Sequence, residues 1–304
     1  MNTHLKTTIS TTLLLVVTWT LWGQPAQMRR TREHTITQSE GLSFLAPAEV
    51  KPSESSSALI YLSGKYRVIQ ANGIPNHPTG RFPSRGNPHR IQSQSFNYKI
   101  PASPKKRETP VPLERSAFGI AVNGVPFDPG AAEWYLGQRS STWRYEPLSG
   151  AIHLGVDENH AHVQRGGVYH YHGIPTLLVE GMDISDTKHS PIIGWAADGF
   201  PIYALYGYVD SSNPDSGIKK LKSSYRLKLG ERPQGPNDPG GTYDGTFVAD
   251  YEYISDHGDL DECNGMDTVT PDFPRGTYAY FLTEDWPVIP RYFRGTPSKD
   301  FSKR

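Results

Sequence analysis

His160-Ala161-His162-Val163-Gln164-Arg165-Gly166-Gly167-Val168-Tyr169-His170-Tyr171-His172 is the stretch on which the fold turns. Two β-prone runs flank Gly166-Gly167, a strong turn signal, so the segment predicts a β-hairpin. Strand side chains alternate, so His160 and His162 share a face, as do His170 and His172. Register decides whether the two pairs meet. A three-residue loop, Arg165-Gly166-Gly167, sets Gln164 opposite Val168 and brings all four histidines to one side. A two-residue loop would separate the pairs. Gly167 in a left-handed conformation suits the three-residue loop.

Directly opposed Cβ atoms lie about 4.5–5.5 Å apart. Imidazoles at that spacing reach one ion with bonds of roughly 2.0–2.1 Å. The histidines therefore predict a site for copper or zinc built from His160, His162, His170 and His172. Asp157 and Glu158 precede the first pair and are candidates to add a ligand or orient a ring. Tyr169 and Tyr171 point to the other face, where packing is expected. The competing reading is that His and Tyr are ordinary cross-strand partners in a polar core. Six of the eleven histidines fall between positions 153 and 189.

Outward from the hairpin, short β-prone runs recur. They are Ala58 to Leu62, Tyr66 to Ile69, Phe118 to Val122, Val168 to Tyr171, Tyr225 to Leu229, Phe247 to Ile254 and Tyr278 to Leu282. Each is bounded by Gly, Pro, Asn or Asp, and few stretches carry a helical apolar stripe. The expectation is a mainly β fold, sandwich- or barrel-like, with long Pro/Gly-rich loops. The chain has 29 Gly and 26 Pro in 304 residues, and Pro-rich connections occupy 74–112 and 230–240. Asn72-Gly73-Ile74-Pro75 echoes Asn123-Gly124-Val125-Pro126, and Gly167 to Tyr171 echoes Gly276 to Tyr280. Unequal spacing leaves an old duplication and reused turn chemistry both open.

The 31 basic and 31 acidic side chains cancel, and 36% of residues are hydrophobic. That balance argues against a wholly disordered chain and offers no footprint for nucleic acid. No apolar run in the body is long enough for an integral membrane domain. Residues 1–27 read as a secretory signal around Leu13 to Trp22, with a retained N-terminal anchor as the alternative. Export to a periplasm, cell surface or medium is therefore expected. Residues 28–57 read as a flexible linker, 58–296 as the β domain and 297–304 as a polar tail. Between 116 and 218, eleven Asp or Glu face four Lys or Arg, an acidic field that would favour a cation.

Cys263, the single cysteine, is expected to be structural, because its acidic neighbours disfavour a thiolate. Asp256 to Asp261 resembles a calcium loop but lacks the glycine and glutamate that such a loop needs. The expected chemistry divides into a metalloenzyme of unknown small-molecule substrate and a non-catalytic metal-binding or structural module. A third reading is a metal-free binder of polysaccharide or another envelope component, using Trp134, Trp143 and Trp195.

Tyr169-His170-Tyr171-His172 resembles the motif that names the YHYH domain family. Gly167-Val168, Gly173-Ile174-Pro175, Ser190 to Tyr203, Leu260 to Gly265 and Pro290 to Gly295 fit the same family, over roughly residues 60–296. The resemblance implies an exported bacterial protein in which His162, His170 and His172 matter more than His160. It also implies that Asp198, Asp261 and Glu262 belong to the same site region. A second His often follows the late Gly-Thr-Tyr of the family. Ala279 and Phe281 stand there in this chain, which argues against a second metal centre.

Overall fold

The short runs between turn residues do become strands. The computed structural model describes residues 35–41 and 45–302, so the expected signal at 1–27 lies outside the described residues. Eight strands form one open mixed sheet. Their order across it is Gly265–Thr268, Thr277–Leu282, Pro201–Ala204, Gly194–Ala196, Gly119–Ala121, Pro126–Phe127, Tyr169–Tyr171 and Ala161–Val163. The fold is mainly β, as expected, with no closed barrel among the described residues. A separate three-stranded sheet holds Ala58–Ser63, Tyr66–Ala71 and Phe96–Pro101. The helix Thr176–Gly181 is a short excursion after the histidine hairpin. No helix among the described residues is long and apolar enough to cross a membrane.

The eight-stranded sheet carries an internal two-fold relation. Gly119-Ile120-Ala121-Val122-Asn123-Gly124-Val125-Pro126 and Gly194-Trp195-Ala196-Ala197-Asp198-Gly199-Phe200-Pro201 form equivalent hairpins. They pair with each other around Ile120 and Trp195 at the centre. The amide of Val122 bonds Ile193 O while that of Ala197 bonds Phe118 O, a reciprocal exchange. Outside them, Pro126–Phe127 runs parallel to Tyr169–Tyr171, and Pro201–Ala204 runs parallel to Thr277–Leu282. Each outer pair closes on an edge strand, Ala161–Val163 or Gly265–Thr268. The echo between Gly167–Tyr171 and Gly276–Tyr280 is therefore one position in two halves. Asn72 and Asn123 share only turn chemistry, each side-chain oxygen accepting from the amide two residues on.

Tyrosines lock the two halves in the same way. Tyr169 Oη donates to Asp157 at 2.7 Å, and Tyr278 Oη to Asp261 at 2.9 Å. Tyr171 Oη accepts from Asn123 at 2.9 Å, while Tyr280 Oη donates to Asp198 at 2.5 Å. The rings of Tyr169, Tyr171 and Tyr280 are fully buried among Ile120, Phe127 and Ile202. Each phenol brings an apolar body to the core and a polar end that needs a partner there. The expected packing role of Tyr169 and Tyr171 is thus fulfilled, with anchoring hydrogen bonds added.

The chain departs from expectation at three places. The described part of 28–57 is laid on the body instead of running free. Gly41 N bonds Ser149 O at 2.7 Å, Ala46 bridges Asp157, and Val50 bridges Thr79. Backbone groups there find partners in the body, which a composition-based reading of polar residues does not anticipate. The tail from 297 is docked by Phe301, which is buried and stacked on Tyr98 with centroids 4.1 Å apart. Phe247 to Ile254 is a strand only at Tyr251–Tyr253, because Val248–Asp250 closes a 3-10 turn. The buried Asp250 carboxylate accepts there from the amides of Gly245 and Phe247 and from Arg232.

Candidate metal centre

The hairpin takes the three-residue loop. Gln164 N bonds Val168 O and Gly167 N bonds Gln164 O, each at 3.0 Å. Gly166 and Gly167 have φ of 94° and 81°, which glycine adopts without steric cost. A Cβ on Gly167 would also lie 2.6 Å from the side chain of Gln92. The resulting register sets His162 opposite His170 and Val163 opposite Tyr169. The histidines fall on one face and the tyrosines on the other.

His162, His170 and His172 each offer one ligand atom, all within 4.8 Å of one another. Every pair of rings has centroids 4.7 Å apart. The Nε2 atoms of His170 and His172 are 3.1 Å apart. Two ligands on one ion at roughly 2.0–2.1 Å are about 2.9 Å apart at a right angle and about 3.4 Å apart at a tetrahedral one. The observed spacing falls between these. Nδ1 of His162 is 2.8 Å from Leu154 O, and Nδ1 of His170 is 3.1 Å from Val168 O. A carbonyl only accepts, so both rings carry the proton on Nδ1 and present the Nε2 lone pair to the shared space.

His160 is not brought to this group. Its carbonyl accepts from the His172 amide at 2.7 Å, but its φ of 53° breaks the strand alternation. The ring instead bonds Ile174 O through Nδ1 at 2.8 Å. Asp157 lies beneath the tyrosine face, fully buried, accepting from Tyr169, Gly80 N and Asn159 N. Burial pushes its carboxyl up, and these donors pull in the opposite direction. It fixes the hairpin from below and, among the described residues, hydrogen-bonds none of the three clustered imidazoles. Glu158 is exposed and accepts from Ala48 N.

Asp198, Asp261 and Glu262 are not brought to the histidines either. Asp261 and Glu262 lead into Gly265–Thr268, at the opposite edge of the sheet from Ala161–Val163. Asp261 pairs with Arg294 at 2.7 Å and is the two-fold equivalent of Asp157. Asp198 is the equivalent of Asn123. It is buried beneath Tyr280 and Gly295 N, and burial pushes its carboxyl up to about 6. In that half, the positions of His162, His170 and His172 hold Met266, Ala279 and Phe281. Tyr203, Leu221 and Leu260 pack there as an apolar cluster.

Cys263 is fully buried, and desolvation together with Asp261 pushes its thiol up, so it stays protonated. In the calcium-like stretch, Asp259 is held by Lys219 at 2.7 Å. Among the described residues, the three histidines are the one group of His, Cys, Asp or Glu with ligand atoms so close together.

The histidines floor a cleft of about 640 Å³ that opens to solvent. Asp128, Glu133, Trp134, Arg139, Arg144 and His153 also line it, and sequence reasoning did not select them for the site. Asp128 follows Phe127, which pairs in parallel with Tyr171, so it stands beside His172. That pairing spans 44 positions and leaves no local signature. Of the eleven acidic residues in 116–218, only Asp128 and Glu133 line the cleft, so the expected acidic field is not focused there. Trp143 and Trp195 are buried at 6% and 8% exposure, which leaves Trp134 alone of the three tryptophans at this surface.

A family model described as YHYH protein matches residues 97–295. Neither the comparison with curated proteins nor that with solved structures finds a match.

Proposed function

The chain belongs to the YHYH protein family, and from that premise we propose that His162, His170 and His172 bind one copper or zinc ion at the floor of the cleft. The observation that carries this reading is the convergence of three imidazoles, two of them with Nδ1 on a backbone carbonyl. Three protein ligands leave a coordination position for water or substrate, the pattern of catalytic rather than structural sites. A cleft of about 640 Å³ gives a small molecule room to reach it. The protein is then an exported metal-dependent enzyme, in which the ion polarises a bound group or activates water. His162 and His170 hold the ion in a fixed tautomer, and the buried tyrosine face keeps the hairpin in register.

Metal analysis of protein purified without a polyhistidine tag tests the reading. One equivalent of copper or zinc is expected at neutral pH, and none in the His170→Ala/His172→Ala variant. A folded wild-type protein that takes up neither metal would overturn it.

A further inference from the structure

Three of the four edges of the two larger sheets are met by other parts of the chain. Along Ala161–Val163, Ala161 O accepts from Asp157 N at 2.9 Å and Val163 O from Asn87 Nδ2 at 2.8 Å. Along Gly265–Thr268, Gly265 O accepts from Asp261 N at 2.9 Å, and the Thr268 hydroxyl donates to Ser211 O at 3.1 Å. On Phe96–Pro101, Lys99 N donates to the Asp300 carboxylate at 2.8 Å. The fourth edge, Ala58–Ser63, is bare. Asn72 N donates to Ser57 O and Ala102 N to Lys65 O, each at 3.0 Å. Bonding direction alternates along a strand, so these two bonds fix the phase of the three-stranded sheet. Leu59, Tyr61 and Ser63 bond inward to Tyr66–Ala71, while Ala58, Ile60 and Leu62 turn N–H and C=O to the open side. No hydrogen bond reaches those six groups from elsewhere among the described residues. Leu59, Tyr61 and Leu62 are 57%, 39% and 66% exposed, and Tyr66 beside them is 39% exposed. The strand has no proline and no charge, the usual guards of an exposed edge.

We infer that a second copy of this chain adds to Ala58–Ser63, strand against strand, antiparallel about a two-fold axis at Ile60. The open-side groups are self-complementary in that register. Ile60 exchanges both backbone bonds with its own counterpart, and Ala58 does so with the partner's Leu62. Leu59 falls opposite the partner's Tyr61 in a non-hydrogen-bonded pair, where side chains come closest. Two apolar groups now in water thus cover each other, twice per dimer. Charge selects the same occupant. Self-pairing sets like against like, which a charged strand would resist, and no charged residue lies between Ser56 and Gly64. Glu54 and Lys65 are both exposed, and neither takes part in a salt bridge among the described residues. Continued outward, the register sets Glu54 opposite the partner's Tyr66, next to the partner's Lys65, so opposite charges meet at both ends. The product is a continuous six-stranded sheet whose two outer edges are Phe96–Pro101, each already met by Asp300. Growth therefore stops at the dimer.

The test is sedimentation equilibrium of the purified protein over a concentration series, with a chelator present so that no metal bridges two copies. Wild type should pass from monomer to dimer as concentration rises, and no further. Leu59→Lys/Leu62→Lys alters two exposed side chains and should weaken association by at least about tenfold, because lysine guards an edge against pairing. Leu229→Lys, at an apolar residue that is 81% exposed elsewhere on the surface, should associate like wild type. Residue-resolved hydrogen exchange of wild type reads the register without any substitution. The Ala58, Ile60 and Leu62 amides should slow as concentration rises, while those of Leu59 and Tyr61, already bonded inward, should not change. A wild type that stays monomeric throughout, or assembles beyond the dimer, would overturn the inference. So would a dimer that survives the Leu59→Lys/Leu62→Lys change, one lost equally in Leu229→Lys, or one that leaves the three open-side amides unprotected.

Discussion

His162 stands directly across the hairpin from His170, with ring centroids 4.7 Å apart. That contact exists because an odd-length loop sets the register. One residue fewer in the turn would send His162 to the tyrosine face. The loop and the site are thus a single device, and the first predictions follow from it.

Metal affinity should fall with pH. A ligating imidazole must be neutral, and an ordinary histidine takes a proton near pH 6.5, so protons compete for the same nitrogens. Competition titration with a chromophoric chelator should show tight zinc binding at about pH 7.5 and at least about tenfold weaker binding at about pH 5.5. His160→Ala should stay within about threefold of wild type at both values, because its ring is committed to Ile174 O. A large loss in His160→Ala would place that residue at the ion after all.

Gly167→Ala should destabilise the hairpin and weaken the metal site together. The residue sits at φ 81°, and its Cβ would meet Gln92 at 2.6 Å. The left-handed conformation alone costs an L-residue about 1–2 kcal/mol. Gly166→Ala, with φ 94° but open space around it, should cost the backbone term alone. Urea denaturation of both variants, with zinc affinity measured beside it, checks the order.

Asp198 should make the fold less stable as pH rises from about 4 to about 6. Its carboxyl is pushed up to about 6 by burial, above the ordinary value near 4. The native state therefore binds more protons than the unfolded state across that window, and stability declines until the native carboxyl is ionised. The ceiling on this single contribution is about 3 kcal/mol. Asp198→Asn should flatten the slope between pH 4 and 6 in denaturation measured across that range. An unchanged slope would assign it to other groups.

Cys263→Ser should leave metal stoichiometry unchanged. The thiol is fully buried in the half of the sheet that lacks the histidines. A hydroxyl in its place costs about 1–3 kcal/mol where it finds no partner. A thermal melt and a metal assay on the same preparation separate the two effects.

Much of the histidine hairpin was legible in one dimension. Alternation placed His170 and His172 together and Tyr169 and Tyr171 opposite them, and Gly166-Gly167 marked the turn. The register of His162 against His170 was readable because hairpin pairing is local. His160 was misplaced because its φ of 53° is set where Asp157 O accepts its amide, a detail below the resolution of a two-residue period. Asp198, Asp261 and Glu262 were expected at the site from the family resemblance alone; in the fold they occupy in one half of the sheet the places of Asn123, Asp157 and Glu158 in the other.

Residue order alone therefore carried the β class, the strand–turn rhythm and the facing of the three histidines, since each follows from side-chain periods and turn chemistry over a dozen residues. Only the tertiary structure decided which half holds the cleft, that Asp128 stands beside His172, and that Arg139 and Arg144 lie over the ring of Trp134 in the wall of that cleft. Those relations come from parallel strand pairing and from loops that meet across the sheet. Neither leaves a periodic signal, because the contacting residues are far apart in the chain and are brought together only when the core is buried.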